Sequence, residues 1–307
     1  MSANTVENTK ELFVNYVLIY NEKSASYKKT KKKWKHKLKG SFPISVQDLS
    51  EDWLKERSPD GLIVMGGDGT INSTANIILN SGLDIPMGII PGGGGNDFYQ
   101  RQVGRCQEYN GSGITVHEVF ELEYSNNIQK RCAVNTVEWG IGALVAERRE
   151  NNEGRFLTGM LKYFYLVIKS LFEFNSWKAT IRIDGKDMEF DDLSSVVVGF
   201  GSSTMGGGYI MFPEECSGPN KDAPLVLIAH GFSRFKALGL ILKFVRGKQH
   251  KDRRLQYYPF NTLELIPYDD EVIKLTVDGE LFPAPPVSIK LGNRKLKTFC
   301  VTSNGFS

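Results

Sequence analysis

Two glycine-rich stretches could do chemistry through their backbones. One is Gly66-Gly67-Asp68-Gly69-Thr70, and the other runs Pro-Gly-Gly-Gly-Gly-Asn-Asp from Pro91 to Asp97. Without side chains, backbone N–H groups can approach phosphate oxygens closely, and a helix start behind the loop adds a favourable dipole. Each stretch also carries an acid, Asp68 or Asp97. An acid beside a phosphate cradle suits Mg2+-assisted phosphoryl transfer, where positioning and charge neutralisation supply most of the catalysis. Asp68 is the best-placed carboxylate for a metal-bound water. The plainer reading is two tight turns whose glycines merely permit positive φ. Two such loops, both following strands and both carrying Asp, favour phosphate binding. Known nucleotide fingerprints do not fit: there is no GxxxxGK[ST], no GxGxxG opening the first βα unit, and no HRD or DFG.

Loops of this kind need strands to end in them. Phe13–Tyr20, Gly61–Met65 and Pro86–Ile90 are apolar runs of strand length, and Phe42–Val46 is extended. The stretch to Lys39, Asp48–Arg57 (capped by Asp48 or Ser50) and Ile71–Asn80 (stopped by Gly82) read as helices. This βαβα rhythm predicts a parallel sheet, with ligands in the crevice at the carboxyl ends of its strands. Past about residue 120 the texture changes. Ala133–Trp139, Thr180–Ile183, Ser195–Phe200, Leu225–Ala229, Thr262–Ile266 and Val272–Val277 read as strands, with helices at Thr158–Phe174 and Phe232–Phe244. That pattern predicts an antiparallel β domain.

A chain of 307 residues accommodates two such domains. Its 31 glycines show no Gly-X-Y period, which excludes collagen. The net charge of +3 conceals eight lysines and no acid between Lys28 and Lys39, so the rest carries −5. The protein reads as an acidic body with one basic segment, not as a nucleic-acid binder. Lysines near an anionic membrane contribute about 1 kcal/mol each. Trp34 is a candidate interfacial anchor, and Lys243–Arg254 a reinforcing basic stretch. The plain alternative is a solvated helix face. Cys106, Cys132, Cys216 and Cys300 form neither a CxxC pair nor a zinc pattern, and a disulfide framework is not expected. No secretory signal or membrane-length apolar run is evident, so the expected location is the cytoplasm with peripheral membrane association. The sequence is compatible with a homodimer.

Gly66–Thr70 after Leu-Ile-Val-Met, Gly88–Asp97 (GIIPGGGGND) and Val277–Glu280 (VDGE) resemble the diacylglycerol kinase catalytic domain family. Tyr20–Ser24 sits where that family has its first loop. Asn135–Ala143 and Met205–Pro213 resemble motifs of its second domain. The resemblance implies a phosphofructokinase-like (NAD-kinase-like) α/β nucleotide domain over residues 12–121, joined by a returning last strand at about 295–303. A β-sandwich-like lipid domain would span 122–294. It further implies that Gly66, Gly67, Asp68, Gly69, Thr70 and Asn72 bind ATP phosphates, with Asn21, Ser24, Gly93, Gly94, Gly95, Asn96 and Asp97 around them. Glu280 would accept the proton of the lipid hydroxyl, and Asp278 would orient it or relay through a metal-bound water. Asp222 would hold Mg2+ with main-chain oxygens around Pro219 and Pro224. Gly94 stands where the family usually has Thr or Ser, whose hydroxyl touches phosphate.

From the residues alone, Asp278-Gly279 reads as a type I′ hairpin turn, and Asp68 competes with Glu280 for the role of base. Several functions stay open. The leading one is an ATP-dependent lipid kinase, with diacylglycerol first because Gly95 is followed by Asn-Asp, not the Asn-Ala typical of sphingosine kinases. Its rivals are a sphingoid-base or ceramide kinase, an NAD-kinase-like enzyme, and a non-catalytic lipid- or nucleotide-binding protein.

Overall fold

Short runs of Val, Ile, Leu and Met, each closed by turn residues, become neighbouring parallel strands in the computed structural model. It describes residues 15–24, 27–34, 41–108, 113–124, 131–157, 159–201, 203–206, 208–268, 274–282, 288–302 and 305–306. The chain divides into two units, Met1–His117 with Arg294–Ser307, and Glu118–Asn293.

The first unit contains β1 (Tyr16–Tyr20), α1 (Tyr27–Trp34), β2 (Phe42–Ser45), α2 (Glu51–Arg57), β3 (Gly61–Gly66), α3 (Asp68–Ser81), β4 (Met87–Pro91) and α4 (Asp97–Glu108). These four strands pair in parallel, in the order β2-β1-β3-β4. Every residue of β3 is buried, as expected for a strand covered on both faces. Ser50, not Asp48, caps α2, its Oγ accepting the Trp53 N–H at 3.1 Å. Gly82 ends α3 at φ 72°, as its position predicted.

In α1, Tyr27 and Thr30 face inward while Lys28, Lys29, Lys31, Lys32 and Lys33 are exposed. Trp34 is half-buried against the cluster of Ile63, Met65 and Ile90. That packing commits part of its ring to the first unit. Lys35–Lys39 lie outside the described residues, as do Phe13, Val14 and Val272.

The second unit continues with β5 (Ile114–Glu123), β6 (Arg131–Ala133), β7 (Thr136–Gly140), α5 (Ile141–Glu150), α6 (Gly159–Glu173), β8 (Trp177–Ile183) and β9 (Lys186–Phe200). The short β10 (Thr204–Met205), β11 (Tyr209–Ile210) and α7 (Glu214–Ser217) precede β12 (Pro224–His230) and α8 (Arg234–Val245). Last come β13 (Leu255–Pro259), β14 (Thr262–Pro267), β15 (Leu275–Val277), β16 (Glu280–Phe282) and β17 (Ser288–Phe299). The order β16-β15-β7-β9-β8-β14 is antiparallel throughout, and β12 joins β9 to β13.

Alternation along β9 divides the packing. Val196 and Val198 enter a core with Phe120, Trp139 and Phe200, while Val197 packs on the side of α6 and α8. β9 is fifteen residues long, although only Ser195–Phe200 reads as a strand. Its first half, Lys-Asp-Met-Glu-Phe-Asp-Asp, is mostly exposed, so acids take the place of the apolar signal.

The last residues of β17, Thr298 and Phe299, pair in parallel with Met87 and Gly88 of β4. A Cβ on Gly88 would lie 2.3 Å from the Phe299 ring, so only glycine allows that approach. Cys132 and Cys216 are not disulfide-bonded, while Cys300 is, a single cross-link in a sequence that shows no sign of a disulfide framework. Among the described residues no helix is long and apolar enough to cross a membrane.

Candidate active site

In the first unit the carboxyl ends of β1, β3 and β4 lie side by side, and each runs into a loop singled out by the sequence. The loops are tied to one another. Asn21 Nδ2 donates to Thr70 Oγ1 at 3.2 Å, and Ser24 Oγ donates to the Gly92 carbonyl at 2.7 Å. The Gly92 N–H reaches the Gly66 carbonyl at 2.8 Å. Built Cβ atoms on Gly67 and Gly93 would sit 2.9 and 2.6 Å from each other's Cα. The glycines at these two positions are therefore needed for backbone to pass backbone. The N-cap of α3, Gly67, makes no side-chain cap hydrogen bond, and a glycine-capped helix start of this kind is suited to an anion.

Asp68 has a structural duty: its Oδ1 accepts the Phe98 N–H at 3.1 Å, binding the start of α3 to the start of α4. Asn96 adopts φ 55°. Its side chain accepts from the Gly93 N–H at 2.8 Å and donates to the Gly93 carbonyl at 2.9 Å. Asn96 thus braces the loop, and Asp97, buried, opens α4. Asn72 is fully buried in α3, where Asn76 Nδ2 donates to its Oδ1 at 3.3 Å. That placement encloses the Asn72 side chain within the fold. Gly94 is the opposite case, with open space where a Cβ would stand.

In the second unit, Asp278-Gly279 joins β15 to β16 in a two-residue turn, with φ 49° and 81°. This is the type I′ hairpin the dipeptide predicts, and it also fixes two carboxylates. Asp278 is buried. Its Oδ1 accepts the N–H groups of Asn135 and Thr136, both at 2.8 Å, and its Oδ2 that of Val134 at 2.9 Å. Arg149 of α5 donates to the Gly279 carbonyl and, at 3.0 Å, to Tyr163 Oη. Glu280 keeps 43% of its side-chain surface exposed and lies 3.7 Å from Arg131, whose guanidinium stacks on Phe282. Burial lifts the Glu280 carboxyl above its ordinary range, Asp278 and Glu150 add to the rise, and Arg131 and Arg149 oppose it.

Glu138, in the wholly buried β7, is the residue the sequence reading missed. Burial pushes its carboxyl up to about 8, against hydrogen bonds from the Gly142 N–H and Ser195. A Cβ on Gly142 would overlap this carboxyl, which explains the second glycine of Trp-Gly-Ile-Gly. The signal available in sequence was an acid inside an otherwise buried strand. Because the folded form holds its proton and the unfolded chain releases it near 4.5, stability falls as pH rises between those values. The Glu138→Gln variant is expected to remove that slope. Relative to wild type it gains on the order of 3 kcal/mol between pH 5 and pH 8, read by urea titration at both pH values.

The diacylglycerol kinase catalytic domain model matches residues 15–110, and the YegS C-terminal NAD kinase beta sandwich-like domain model matches residues 135–300. The chain belongs to the diacylglycerol kinase family. Its phosphofructokinase-like α/β domain and β-sandwich-like domain are those of the family, whose members are phosphotransferases. A Staphylococcus carnosus (strain TM300) protein named "Putative lipid kinase" is 27% identical over 256 residues, 80% of this chain and 79% of its own. A Staphylococcus haemolyticus (strain JCSC1435) protein of the same description is 24% identical over 265 residues, 85% of this chain and 81% of its own. The crystal structure of a diacylglycerol kinase from Bacillus anthracis str. Sterne shares the fold at TM-score 0.62 and 16% identity. It covers 94% of this chain and 97% of the other.

For this diacylglycerol kinase family chain the donor sets can be weighed against Mg2+. Asp222 lies in a loop where its N–H donates to Asn220 Oδ1 at 3.0 Å, and the Ala223 N–H reaches the Asn220 carbonyl at 3.0 Å. Pro219 and Pro224 flank that loop. The donors that the resemblance assigns here would all be oxygens with a single carboxylate, which fits Mg2+, an ion that commonly keeps water and phosphate ligands. Among the described residues no three His, Cys, Asp or Glu side chains gather as a ready metal cage.

Proposed function

We propose that this chain is an ATP-dependent lipid kinase that transfers the γ-phosphate to a hydroxyl of diacylglycerol. The observation that carries the reading is Glu280. It is an accessible carboxylate with a raised affinity for protons, held on a turn that Asp278 and Arg149 lock in place. A base of that kind is what a neutral alcohol needs as it attacks phosphorus. In the first unit, the N–H groups at the start of α3 and along Gly92–Gly95 bind the phosphates of ATP, and Asn21, Ser24 and Thr70 hold those loops together. Asp68 or Asp222 would hold Mg2+, which would supply charge neutralisation when bound. The lipid oxygen forms its bond to the γ-phosphorus, the bond to the β-phosphate bridging oxygen breaks, ADP leaves, and Glu280 takes the hydroxyl proton.

Diacylglycerol is preferred over sphingoid bases and ceramide because Asn-Asp follows Gly95. That preference is one of lineage, since the Asn96 amide is committed to Gly93. The test offers γ-labelled ATP with diacylglycerol, sphingosine, ceramide and NAD in parallel. Label in diacylglycerol alone supports the proposal. Label in a sphingolipid or NAD assigns the chain to that acceptor, and ATP binding without label in any acceptor leaves a binding protein.

Two further expectations follow from the same reading. Gly94→Thr places a hydroxyl in open space beside the phosphates. It should lower the KM for ATP about three- to tenfold, the effect of one charge-assisted hydrogen bond, with kcat little changed. The exposed lysines of α1 belong to a surface for anionic membranes, so binding to anionic vesicles should weaken with salt and on neutralising Lys28–Lys33. Vesicle binding indifferent to salt would contradict it.

A further inference from the structure

Outward faces of surface helices are ordinarily polar, and α6 and α8 break that rule together. Both pack their inner faces on the sheet through Leu171, Ala237, Leu240 and Ile241. On the outer face of α8, Phe235 and Leu242 are 78% and 59% exposed, with Gly239 between them. These positions are spaced by three and four residues, so they form one stripe that continues to Arg246. On α6, Leu161, Phe164 and Phe172 are exposed along a similar stripe, and Phe156 stands 74% exposed just before that helix. The two stripes meet where the Phe172 and Phe235 rings make an edge contact at 6.3 Å. Five large apolar side chains facing outward from one helix pair, with Phe156 beside them, exceed the single scattered residues normal on a surface.

The charge around this patch identifies its occupant. From Arg234 to Lys251 the sequence holds Arg234, Lys236, Lys243, Arg246, Lys248 and Lys251 and no acid. On the α6 side, Glu153 is paired with Arg148 and Lys169, and Glu173 with Arg148. An apolar stripe rimmed by cations is complementary to an anionic bilayer, where aromatic and aliphatic side chains enter the acyl boundary and lysines meet the headgroups. A second copy of the same face would bring like charges together, which disfavours a symmetric dimer there.

We propose that the α6–α8 face of the second unit docks on anionic membrane surfaces, with Phe235, Leu242, Leu161 and Phe172 as the inserting residues. The choice of a bilayer as occupant rests on the lipid-kinase reading, but the docking itself needs neither nucleotide nor acceptor. It also differs from electrostatic attachment through α1, because apolar insertion persists at salt concentrations that screen lysines.

The test uses the full chain with phosphatidylglycerol–phosphatidylcholine vesicles lacking diacylglycerol and without ATP. Wild type should sediment with them. Phe235→Ser combined with Leu242→Ser should lower the partition coefficient by at least about tenfold. Since both side chains are already exposed, the thermal midpoint should be unchanged, as should the rate on a short-chain, water-dispersed diacylglycerol. Equal partition of variant and wild type overturns the proposal, as does a wild type that binds no vesicles. A wild-type dimer that the two substitutions dissociate, with vesicle binding intact, overturns it in favour of self-association. Vesicle binding by a chain that labels no lipid would sink the kinase reading and leave the docking face standing.

Discussion

Glu280→Gln is expected to lower kcat by about a hundred- to ten-thousand-fold, the usual range for a lost general base, while ATP affinity stays within about a factor of two. Gln keeps the size and polarity of the side chain but cannot accept the proton that the lipid hydroxyl loses. The pH dependence follows from the same group. Glu280 must be ionised to act, and burial with Asp278 and Glu150 raises its proton affinity above that of an ordinary glutamate. Wild-type activity should therefore climb with pH through an acid limb lying above the usual carboxylate range, and the variant should lack that limb. Steady-state rates from mildly acidic to neutral pH, with ATP binding by calorimetry alongside, check both parts. An unaltered kcat would move the base to another group, with Asp68 as the standing competitor.

Asp278→Ala should have the largest effect on stability. One buried carboxylate receives three main-chain N–H groups, those of Val134, Asn135 and Thr136. Removing it leaves three buried donors without their acceptor, each costing about 1–3 kcal/mol, so a loss on the order of 5 kcal/mol is expected. Asp278→Asn retains an oxygen for the two bonds that Oδ1 accepts and should cost roughly half as much. Urea unfolding followed by the buried Trp139 and Trp177 reports on this unit. The comparison separates the two carboxylates of the turn. Asp278 variants lose stability and activity together, whereas Glu280→Gln should lose activity with little change in midpoint. Equal stability of Asp278→Ala and wild type would contradict the anchoring role.

What the sequence reveals of this molecule depends on whether the determining interactions are local. The close backbone approach of the two glycine-rich loops was legible because glycines declare a backbone requirement in place, and the structure finds Gly67 and Gly93 in mutual contact. The Asp278-Gly279 turn was legible as a hairpin for the same reason. That Asp278 also anchors residues 134–136 was not, because the partners lie more than 140 positions away. Arg149 and Arg131 escaped notice likewise: nothing near either in sequence points to Glu280. Glu138 carried a readable signal, an acid in a buried strand, but its proton affinity follows from tertiary packing alone. The first half of β9 was hidden by acids on an exposed surface. Asn72 was named through the family resemblance and Trp34 on residue type, and neither reading could foresee that Asn72 is fully buried and Trp34 half-buried.

The central claim is that phosphate passes from ATP to a lipid hydroxyl on this chain. The most direct measurement is a single-turnover experiment, with the protein in excess over γ-labelled ATP and diacylglycerol in mixed micelles with Mg2+. The account predicts label in phosphatidic acid, formed one for one with ADP and lost with Glu280→Gln. Bound ATP that yields only inorganic phosphate, or none, with the lipid fraction unlabelled, would contradict it.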